Sequence, residues 1–260
     1  MTSHYTFGDS ELAARRLDLL AQAYAEPTRA FLTQFAPRPV TRAVDLGCGP
    51  GYSTRLLHEV VGARSSVGID ISPHYVELAQ AGAPQGTSFV CHDLRKGVPE
   101  VPVANVVYSR FLLTHLEDPA GVLGRWARLL EPRGLLLLQE TSLLESEHPT
   151  LIRYYQLVEA LQAHYGQALF VGRDLNRFAQ GTPFIVEHFG QRLFELPAHV
   201  MATLHALNIP TWKNDPVARR HFDAKELAEV EQGLLRIAQR AELCAPVRLG
   251  LGELVLRATE

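Results

Sequence analysis

The sequence predicts an α/β fold in which a doubly wound, mostly parallel sheet of seven strands is flanked by helices. From Thr41 onward, short β-branched apolar runs alternate with amphipathic segments, which is the pattern of repeated βα units. A glycine-rich turn follows the first predicted strand and leads into a helix. The segment 135–139 opens with four leucines, as expected for a central strand that helices cover on both faces.

The predicted strands follow one another through the first half of the chain and return near its end. They cover 43–46, 66–70, 87–91, 104–108 and 135–139, with two more near 191–195 and at 253–257. Ser72 and Pro73 predict the N-cap and the first residue of the helix after the second strand. An apolar stripe at 122–130 predicts the helix before the fifth strand, and Pro132-Arg133-Gly134 predicts its end.

Helical spacing also occupies three regions outside this alternation. Residues 9–36 predict two helices broken at Glu26-Pro27, because proline disrupts a helix interior. Residues 143–183 predict two more, one with an aromatic face at 151–165, and 227–241 predict a last one. We expect a single domain, 1–260. Its parts are an N-terminal helical lid (1–38), a nucleotide-binding core (39–142), a helical substrate cap (143–190) and a C-terminal completion of the sheet (191–260).

The composition is that of an ordinary soluble protein. The 260 residues carry a formal net charge of −3 with scattered arginines, so no surface for nucleic acid is expected. The apolar runs are shorter than the roughly 20 residues that a membrane span needs. Three separated cysteines and the absence of a secretory signal favour a cytoplasmic location, and no zinc site is expected. The chain is expected to be a monomer or a homodimer.

The most informative motif is the segment 44–51, Val-Asp-Leu-Gly-Cys-Gly-Pro-Gly. Glycines let the backbone turn tightly and let a ligand lie directly on it, while free amides at a helix start attract negative groups. Asp70 follows at the tip of the second strand, where a carboxylate can accept both hydroxyls of a ribose. Dinucleotide enzymes use such an acid too, but their GxGxxG spacing differs from the GxGxG found here. Asp45 before the turn suits an aminoacyl ammonium better than a pyrophosphate.

On these residues the segment 41–140 resembles the class I methyltransferases that depend on S-adenosylmethionine (SAM), which have a Rossmann-like fold. It is most similar to the small-molecule branch, which includes ubiquinone and menaquinone C-methyltransferases and antibiotic-tailoring enzymes. The resemblance implies that Asp45, Gly47 and Gly49 hold the methionine part of SAM. It implies ribose binding by Asp70 and an adenine contact by Ile71.

Further positions match motifs of that family at later strand ends. His92-Asp93-Leu94 resembles the segment whose aspartate binds the adenine amino group, so Asp93 and Leu94 are expected at the cofactor. The segment 108–116 resembles the fourth-strand motif that passes beneath the cofactor, which implicates Ser109 and Arg110. The N-terminal Tyr-x-Phe-Gly resembles a segment in which a tyrosine, here Tyr5, caps the cofactor. SAM is thus the expected cofactor and S-adenosylhomocysteine the product.

Methyl transfer needs an in-line approach and exclusion of water, so no single catalytic residue is required. If a general base takes part, the candidates at the same sheet edge are His115 and Glu140. His115 is also explained by packing or capping, and Glu140 by a solvated strand end or a helix-capping role. Further candidates without a spacing argument are His148, His164, His188 and His205. The fourth strand lacks the Asp/Asn-Pro-Pro-Tyr/Phe signature of amino methyltransferases, and no metal is expected, because only Glu140 matches the metal-dependent pattern.

The aromatic side chains of the predicted lid and cap are the candidates for substrate contact, although ordinary helix packing explains them as well. They are Tyr24, Tyr154, Tyr155 and Phe178. The leading hypothesis is methyl transfer to oxygen, nitrogen or carbon of a small, fairly apolar metabolite, in secondary metabolism. The alternatives are a non-methylating, pericyclic-type reaction on the same fold and a regulatory SAM-binding subunit.

Overall fold

The computed structural model describes residues 11–240 and 245–259. Within them lies a seven-stranded sheet with the strand order β3-β2-β1-β4-β5-β7-β6. The strands are β1 (Arg42–Leu46), β2 (Ser65–Asp70), β3 (Thr87–Cys91), β4 (Ala104–Arg110), β5 (Leu130–Glu145), β6 (Phe184–Leu196) and β7 (Val247–Ala258). The helices are α1 (Glu11–Ala23), α2 (Ala25–Phe35), α3 (Tyr52–Val61), α4 (Pro73–Ala81), α5 (Pro119–Trp126), α6 (Pro149–His164), α7 (Ala198–Trp212), α8 (Pro216–His221) and α9 (Ala224–Ala238).

Strands β1 to β5 pair in parallel, which confirms the predicted doubly wound α/β architecture. The order runs outward from β1 through β2 to β3 on one side and from β4 to β5 on the other. The carboxyl ends of β1 and β4 therefore flank the point where the strand order reverses, and open α/β sheets bind ligands there. In this register Asp45 lies between Gly68 and Tyr108.

The sheet core is apolar on both faces because its central strands are buried on both sides. Leu136 and Leu138 of β5 join one cluster, which includes Leu123 and Trp126. The alternate residues Leu135 and Leu137 join a second cluster, together with side chains of α2 and α3. Successive side chains of a strand point to opposite faces, so a continuous leucine run supplies both clusters.

The chain divides into two compact units. Of the described residues, the core unit comprises 24–141, 170–192 and 251–259, and the helical unit comprises 11–23, 142–169, 193–240 and 245–250. In the helical unit α7 packs against α1 and α9, and α6 packs against α8 and α9. These borders differ from the predicted segments. Helix α2 belongs to the core unit because Phe31 and Leu32 pack in its apolar cluster, and so does the 3-10 segment Val171–Ala179, whose Leu175 is buried in the other cluster.

Several element boundaries differ from the sequence-based expectation. The first helical break falls at Tyr24, just before Glu26-Pro27. The helix before β5 ends at Trp126, and a 3-10 turn (Ala127–Leu129) then leads directly into the strand, so that Pro132-Arg133-Gly134 lies within β5. Helices α7 and α8 were not expected. Among the described residues no helix is long and apolar enough to cross a membrane.

Candidate cofactor and catalytic site

The glycine turn after β1 has backbone angles that only glycine adopts without strain. Gly47, Gly49 and Gly51 have φ values of 71°, 51° and 82°. The Gly47 and Cys48 amides donate to the carbonyl of Ile69 at 2.8 and 3.1 Å, which fixes the turn against β2. A Cβ at Gly51 would lie 2.8 Å from the Phe89 ring. The turn is therefore both tight and closely packed from behind.

Asp45 is a buried carboxylate at the start of this turn. Its Oδ2 accepts hydrogen bonds from the hydroxyls of Ser53 and Thr54 at 2.6 and 2.7 Å. Burial raises the pKa of Asp45 to about 6, while these two hydrogen bonds act in the opposite direction. Its Oδ1 has no hydrogen-bond partner among the residues that the structure describes. A buried, mostly ionised carboxylate with one oxygen available for a donor fits a cationic ligand group.

Asp70 lies at the end of β2, beside the glycine turn. Its Oδ2 accepts from the Gly49 amide at 2.8 Å, and its Oδ1 accepts from the Ser72 amide at 2.9 Å. The neighbouring Ile71 exposes 47% of its surface, which is unusual for isoleucine. The structure thus brings the predicted ribose acid and the predicted adenine contact to the edge that holds the turn.

Asp93 has a partner that the sequence reasoning missed. Arg95 donates to both oxygens of this carboxylate, from Nε at 2.7 Å and from one terminal nitrogen at 2.9 Å, and the ion pair lowers the pKa of Asp93. The Asp-x-Arg spacing was the available signal. The side chain of Leu94 is buried in the core cluster.

Residues at the end of β4 form hydrogen bonds and a ring contact with neighbouring elements. The buried Ser109 hydroxyl donates to the Leu46 carbonyl at 3.2 Å. Arg110 donates to the Thr28 hydroxyl at 2.8 Å and to the Tyr24 carbonyl at 3.4 Å. The ring of Phe111, a residue with φ of 59°, meets the Tyr24 ring edge-on at 5.0 Å. Within the described chain no carboxylate lies within salt-bridge distance of Arg110.

Glu140 on β5 holds the turn that carries His115. Its Oε1 accepts from the amides of Leu112 and Leu113 at 2.8 and 2.7 Å, at the start of the 3-10 turn Leu113–His115. Burial raises the pKa of Glu140 to about 8. Its Oε2 has no hydrogen-bond partner among the described residues. The geometry thus agrees with the helix-capping interpretation of Glu140, and His115 lies partly buried at the end of the same turn.

The predicted substrate residues are divided between the two units. Tyr24 and Phe178 lie in the core unit, whereas Tyr154 and Tyr155 lie on α6 of the helical unit. Phe178 packs against the core cluster, and Tyr24 is buried. The predicted cofactor cap Tyr5 lies outside the described residues.

The helical unit contains a polar and aromatic cluster that sequence reasoning did not assemble. His205 stacks on the Tyr154 ring at 4.2 Å, and its Nε2 lies 3.3 Å from the Tyr155 hydroxyl. Asn208 donates to the Tyr154 hydroxyl at 2.7 Å. Burial, with the charge of the buried Arg16 acting in the same direction, lowers the pKa of His205 to about 3. His205 is therefore neutral in the physiological range.

A left-handed glycine turn, a buried acid before it and a second acid on the next strand are typical of nucleoside-cofactor sites at the switch point of an α/β sheet. In the described residues no group of three or more His, Cys, Asp or Glu side chains is arranged to hold a metal ion. Residues 44–138 match the family model for a methyltransferase domain. Residues 44–138, less than half of the chain, thus resemble a methyltransferase domain.

Known proteins with similar sequences and folds include methyltransferases of several substrates. Over 113 residues the chain is 37% identical to trans-aconitate 2-methyltransferase of Rhizobium leguminosarum, and the match spans 44% of this chain and 43% of that one. The fold resembles a Bacillus halodurans protein described as a methyltransferase, with a TM-score of 0.60, 16% identity and coverage of 90% and 100%. Geranyl diphosphate C-methyltransferase of Streptomyces coelicolor, solved with S-adenosylhomocysteine, gives a TM-score of 0.54, 13% identity and coverage of 98% and 88%. This chain thus matches less than half the length of the curated relative.

Proposed function

We propose that this chain transfers the methyl group of SAM to oxygen, nitrogen or carbon of a small molecule. The observation that carries the proposal is the Oδ1 atom of Asp45, a buried carboxylate oxygen with no partner in the described chain, directly before the left-handed turn of Gly47 and Gly49. A buried charge without a full set of partners is costly, so it is typically kept for a ligand. The ammonium of the SAM methionine has the charge and the donors that this oxygen lacks.

The other groups of SAM fit residues of the same sheet edge. Asp70 is placed to accept the ribose hydroxyls, and the exposed Ile71 supplies an apolar face for adenine. Asp93 would accept from the adenine amino group while Arg95 keeps it ionised. Arg110 offers a cation for the methionine carboxylate. When bound, SAM supplies an electrophilic methyl group on a sulfonium.

In the proposed reaction the residues of the protein contribute to catalysis mainly by positioning the reacting groups. Through its hydrogen bonds to the Leu112 and Leu113 amides, Glu140 acts as a positioning residue for the turn. His115, at the end of that turn, is the general base where the acceptor must lose a proton. Excluding water and aligning the acceptor with the methyl group provide the remaining rate enhancement.

A fairly apolar product of secondary metabolism is the first candidate for the acceptor, and it is supported by the resemblance to the small-molecule branch of methyltransferases. A small carboxylic acid is the second candidate, because the curated relative acts on trans-aconitate. The two classes give chemically different products. A methyl ester releases methanol in mild alkali, whereas methyl groups on ether oxygen, nitrogen or carbon stay attached.

The experiment incubates the full chain with SAM carrying a labelled methyl group and with panels of apolar metabolites and of small carboxylic acids. Label in a product supports the proposal, and its release as methanol in alkali identifies a carboxylate acceptor. Substrate consumption with the label still on SAM would instead indicate the non-methylating reaction. Calorimetry with SAM and with NAD accompanies it. Binding of NAD alone would overturn the proposal, and SAM binding without turnover on any acceptor would support a regulatory subunit.

A further inference from the structure

Buried polar side chains lie together on the face of the core unit's sheet that α2 covers. Phe31 and Leu32 of α2 pack there in an apolar cluster with side chains of β4, β5 and β7. Toward the carboxyl end of β4, polar side chains follow on the same face. They are Thr28, Tyr108, Gln139 and Glu253, and each is at most 3% exposed. Polar groups are costly to bury unless they are hydrogen-bonded, so their partners decide what they contribute.

The four side chains form a continuous series of hydrogen bonds that starts at Arg110. Arg110 donates from Nη1 to the Thr28 hydroxyl at 2.8 Å. The Thr28 hydroxyl is hydrogen-bonded to the Tyr108 hydroxyl, which donates to Oε1 of Gln139 at 2.9 Å. Nε2 of Gln139 donates to Oε1 of Glu253 at 2.9 Å. The series therefore connects a cationic side chain at the end of β4 with a buried carboxylate on β7.

The hydrogen bonds of this series all run in one direction. Arg110 can only donate, an ionised carboxylate can only accept, and each group between them accepts one bond and donates the next. Burial raises the pKa of Tyr108, and the bond with Thr28 acts in the opposite direction, as a donor to the phenol oxygen does. Arg192 donates to both oxygens of Glu253, at 2.6 and 3.1 Å. Because aligned hydrogen bonds polarise one another in a protein interior, the series strengthens the hold on Arg110.

The bonds to one nitrogen of Arg110 restrict where the rest of its guanidinium points. Nη1 is held by the Thr28 hydroxyl and by the Tyr24 carbonyl at 3.4 Å, and the guanidinium is planar. Burial raises the pKa of Asp45, and the charge of Arg110 counteracts this rise, so the guanidinium acts on the acid before the glycine turn. The amino acid group of SAM carries an ammonium for Asp45 and, one carbon away, a carboxylate for Arg110.

We propose that Tyr108 and Gln139 are positioning residues that orient Arg110 toward the carboxylate of the SAM methionine, and that Glu253 anchors their hydrogen bonds. This inference rests on the proposed function, because it takes SAM as the ligand and Arg110 as the group that binds its carboxylate. A merely structural role of these side chains would affect every ligand of the site. A positioning role affects only ligands that carry the amino acid group.

The first experiment measures the affinity of the full chain for S-adenosylhomocysteine and for 5′-methylthioadenosine by calorimetry. Both ligands have the nucleoside and a thioether, but only S-adenosylhomocysteine has the amino acid group. We expect Tyr108→Phe to weaken S-adenosylhomocysteine about three- to tenfold, as for one lost hydrogen bond, and to leave 5′-methylthioadenosine unchanged. Gln139→Met, which keeps the side-chain length without its polar atoms, should show the same selective loss. Tyr165→Phe is the matched control, because its hydroxyl donates to Asp215 at 2.7 Å in the helical unit, and it should change neither affinity.

The second experiment repeats Tyr108→Phe in an Arg110→Met chain. Arg110→Met alone should weaken S-adenosylhomocysteine at least about tenfold and spare 5′-methylthioadenosine. Adding Tyr108→Phe should then cause no further loss, because no guanidinium remains to be oriented.

The remaining outcomes separate this inference from the proposed function. A loss from Tyr108→Phe that is equal in both backgrounds, or shared by both ligands, would overturn the positioning role. So would a selective effect of Arg110→Met with no effect of Tyr108→Phe, although the proposed function would stand. If Arg110→Met leaves S-adenosylhomocysteine unaffected, the carboxylate binds elsewhere, and the inference falls together with that part of the proposed function. A wild-type chain that binds neither ligand would overturn both.

Discussion

At the scale of single residues, the cofactor proposal depends on carboxylates whose neighbours are known. Replacing Asp70 by alanine removes the acceptor for the ribose hydroxyls, and we expect SAM binding to weaken by about 1.5–3 kcal/mol. Calorimetric titration with SAM measures this loss. Asp70→Asn is the control for the turn, since its amide oxygen keeps one acceptor for the Gly49 or Ser72 amide. An unchanged affinity in the alanine variant would mean that the ribose binds elsewhere.

A second prediction concerns the contribution of Glu140 to the pH dependence of stability. Its folded-state pKa of about 8 is above the ordinary 4.5, so the folded protein binds this proton more tightly than the unfolded chain does. Its contribution to stability is therefore fully present below pH 4.5 and is lost as the pH rises through about 8. Glu140→Gln keeps an acceptor for the Leu112 and Leu113 amides but cannot ionise.

Between about pH 6.5 and 8.5 the free energy of unfolding should therefore fall further in the wild type than in Glu140→Gln. We expect the two falls to differ by an amount on the order of 2 kcal/mol. Urea unfolding at several pH values measures both slopes. The exposed Glu100→Gln should retain the wild-type slope. Parallel slopes for Glu140→Gln and the wild type would show that the carboxyl ionises at its ordinary pH.

Some site residues followed from the sequence and others did not. The sequence predicted that Asp45, the glycine turn and Asp70 meet at one edge, and the hydrogen bond from Gly49 to Asp70 confirms their proximity. The N-cap role of Ser72 is confirmed too, since its hydroxyl accepts from the Tyr75 amide. The partners of Glu140 were missed in detail, because an amide 28 residues away along the chain leaves no local sequence signal.

At the scale of elements, a substitution in the glycine turn should lower stability through both backbone strain and a steric clash. Gly51→Ala places a residue with φ of 82° at the N-cap of α3 and a Cβ within 3 Å of Phe89 and Ala79. We expect it to destabilise the fold by about 2–4 kcal/mol, from strain plus a clash. Gly62→Ala at the other end of α3 is the matched control, with a φ of 64° and no atom within 4 Å of its Cβ.

The control should cost only the strain of a left-handed alanine, about 1 kcal/mol. Urea unfolding of both variants separates the two contributions. Equal losses of stability would mean that Phe89 moves aside freely, and that the turn is not held from behind as described.

Helices and strands with a clear periodicity of apolar residues were predicted from the sequence, and those without it were missed. The five parallel strands and the stripe of α9 were predicted because buried strands and one-faced helices leave clear periodicities. Helix α7 was missed because it is apolar on nearly every side and contains Pro210, so it shows no stripe. The early end of α5 was missed because the chain leaves the helix through a 3-10 turn before its proline.

At the scale of the whole molecule, ligand binding should stabilise the fold. A ligand that binds the folded chain but not the unfolded chain stabilises the fold by about 2.7 kcal/mol when its free concentration is a hundred times its dissociation constant. We expect SAM and S-adenosylhomocysteine to raise the melting temperature, and NAD to leave it unchanged. Differential scanning calorimetry checks this, with Asp70→Ala as the variant in which the shift should shrink. A shift with NAD alone would contradict the assigned cofactor.

The sequence by itself determined the class of fold and predicted which sheet edge holds the cofactor. Both depend on local patterns, which are the alternation of strands and helices and the glycine turn beside an acid. The tertiary structure alone decided the division into two units, the assembly of Arg16, Tyr154 and His205 in the helical unit, and the series of hydrogen bonds from Arg110 to Glu253. These features depend on contacts between segments far apart along the chain, which leave no periodic signal in the sequence.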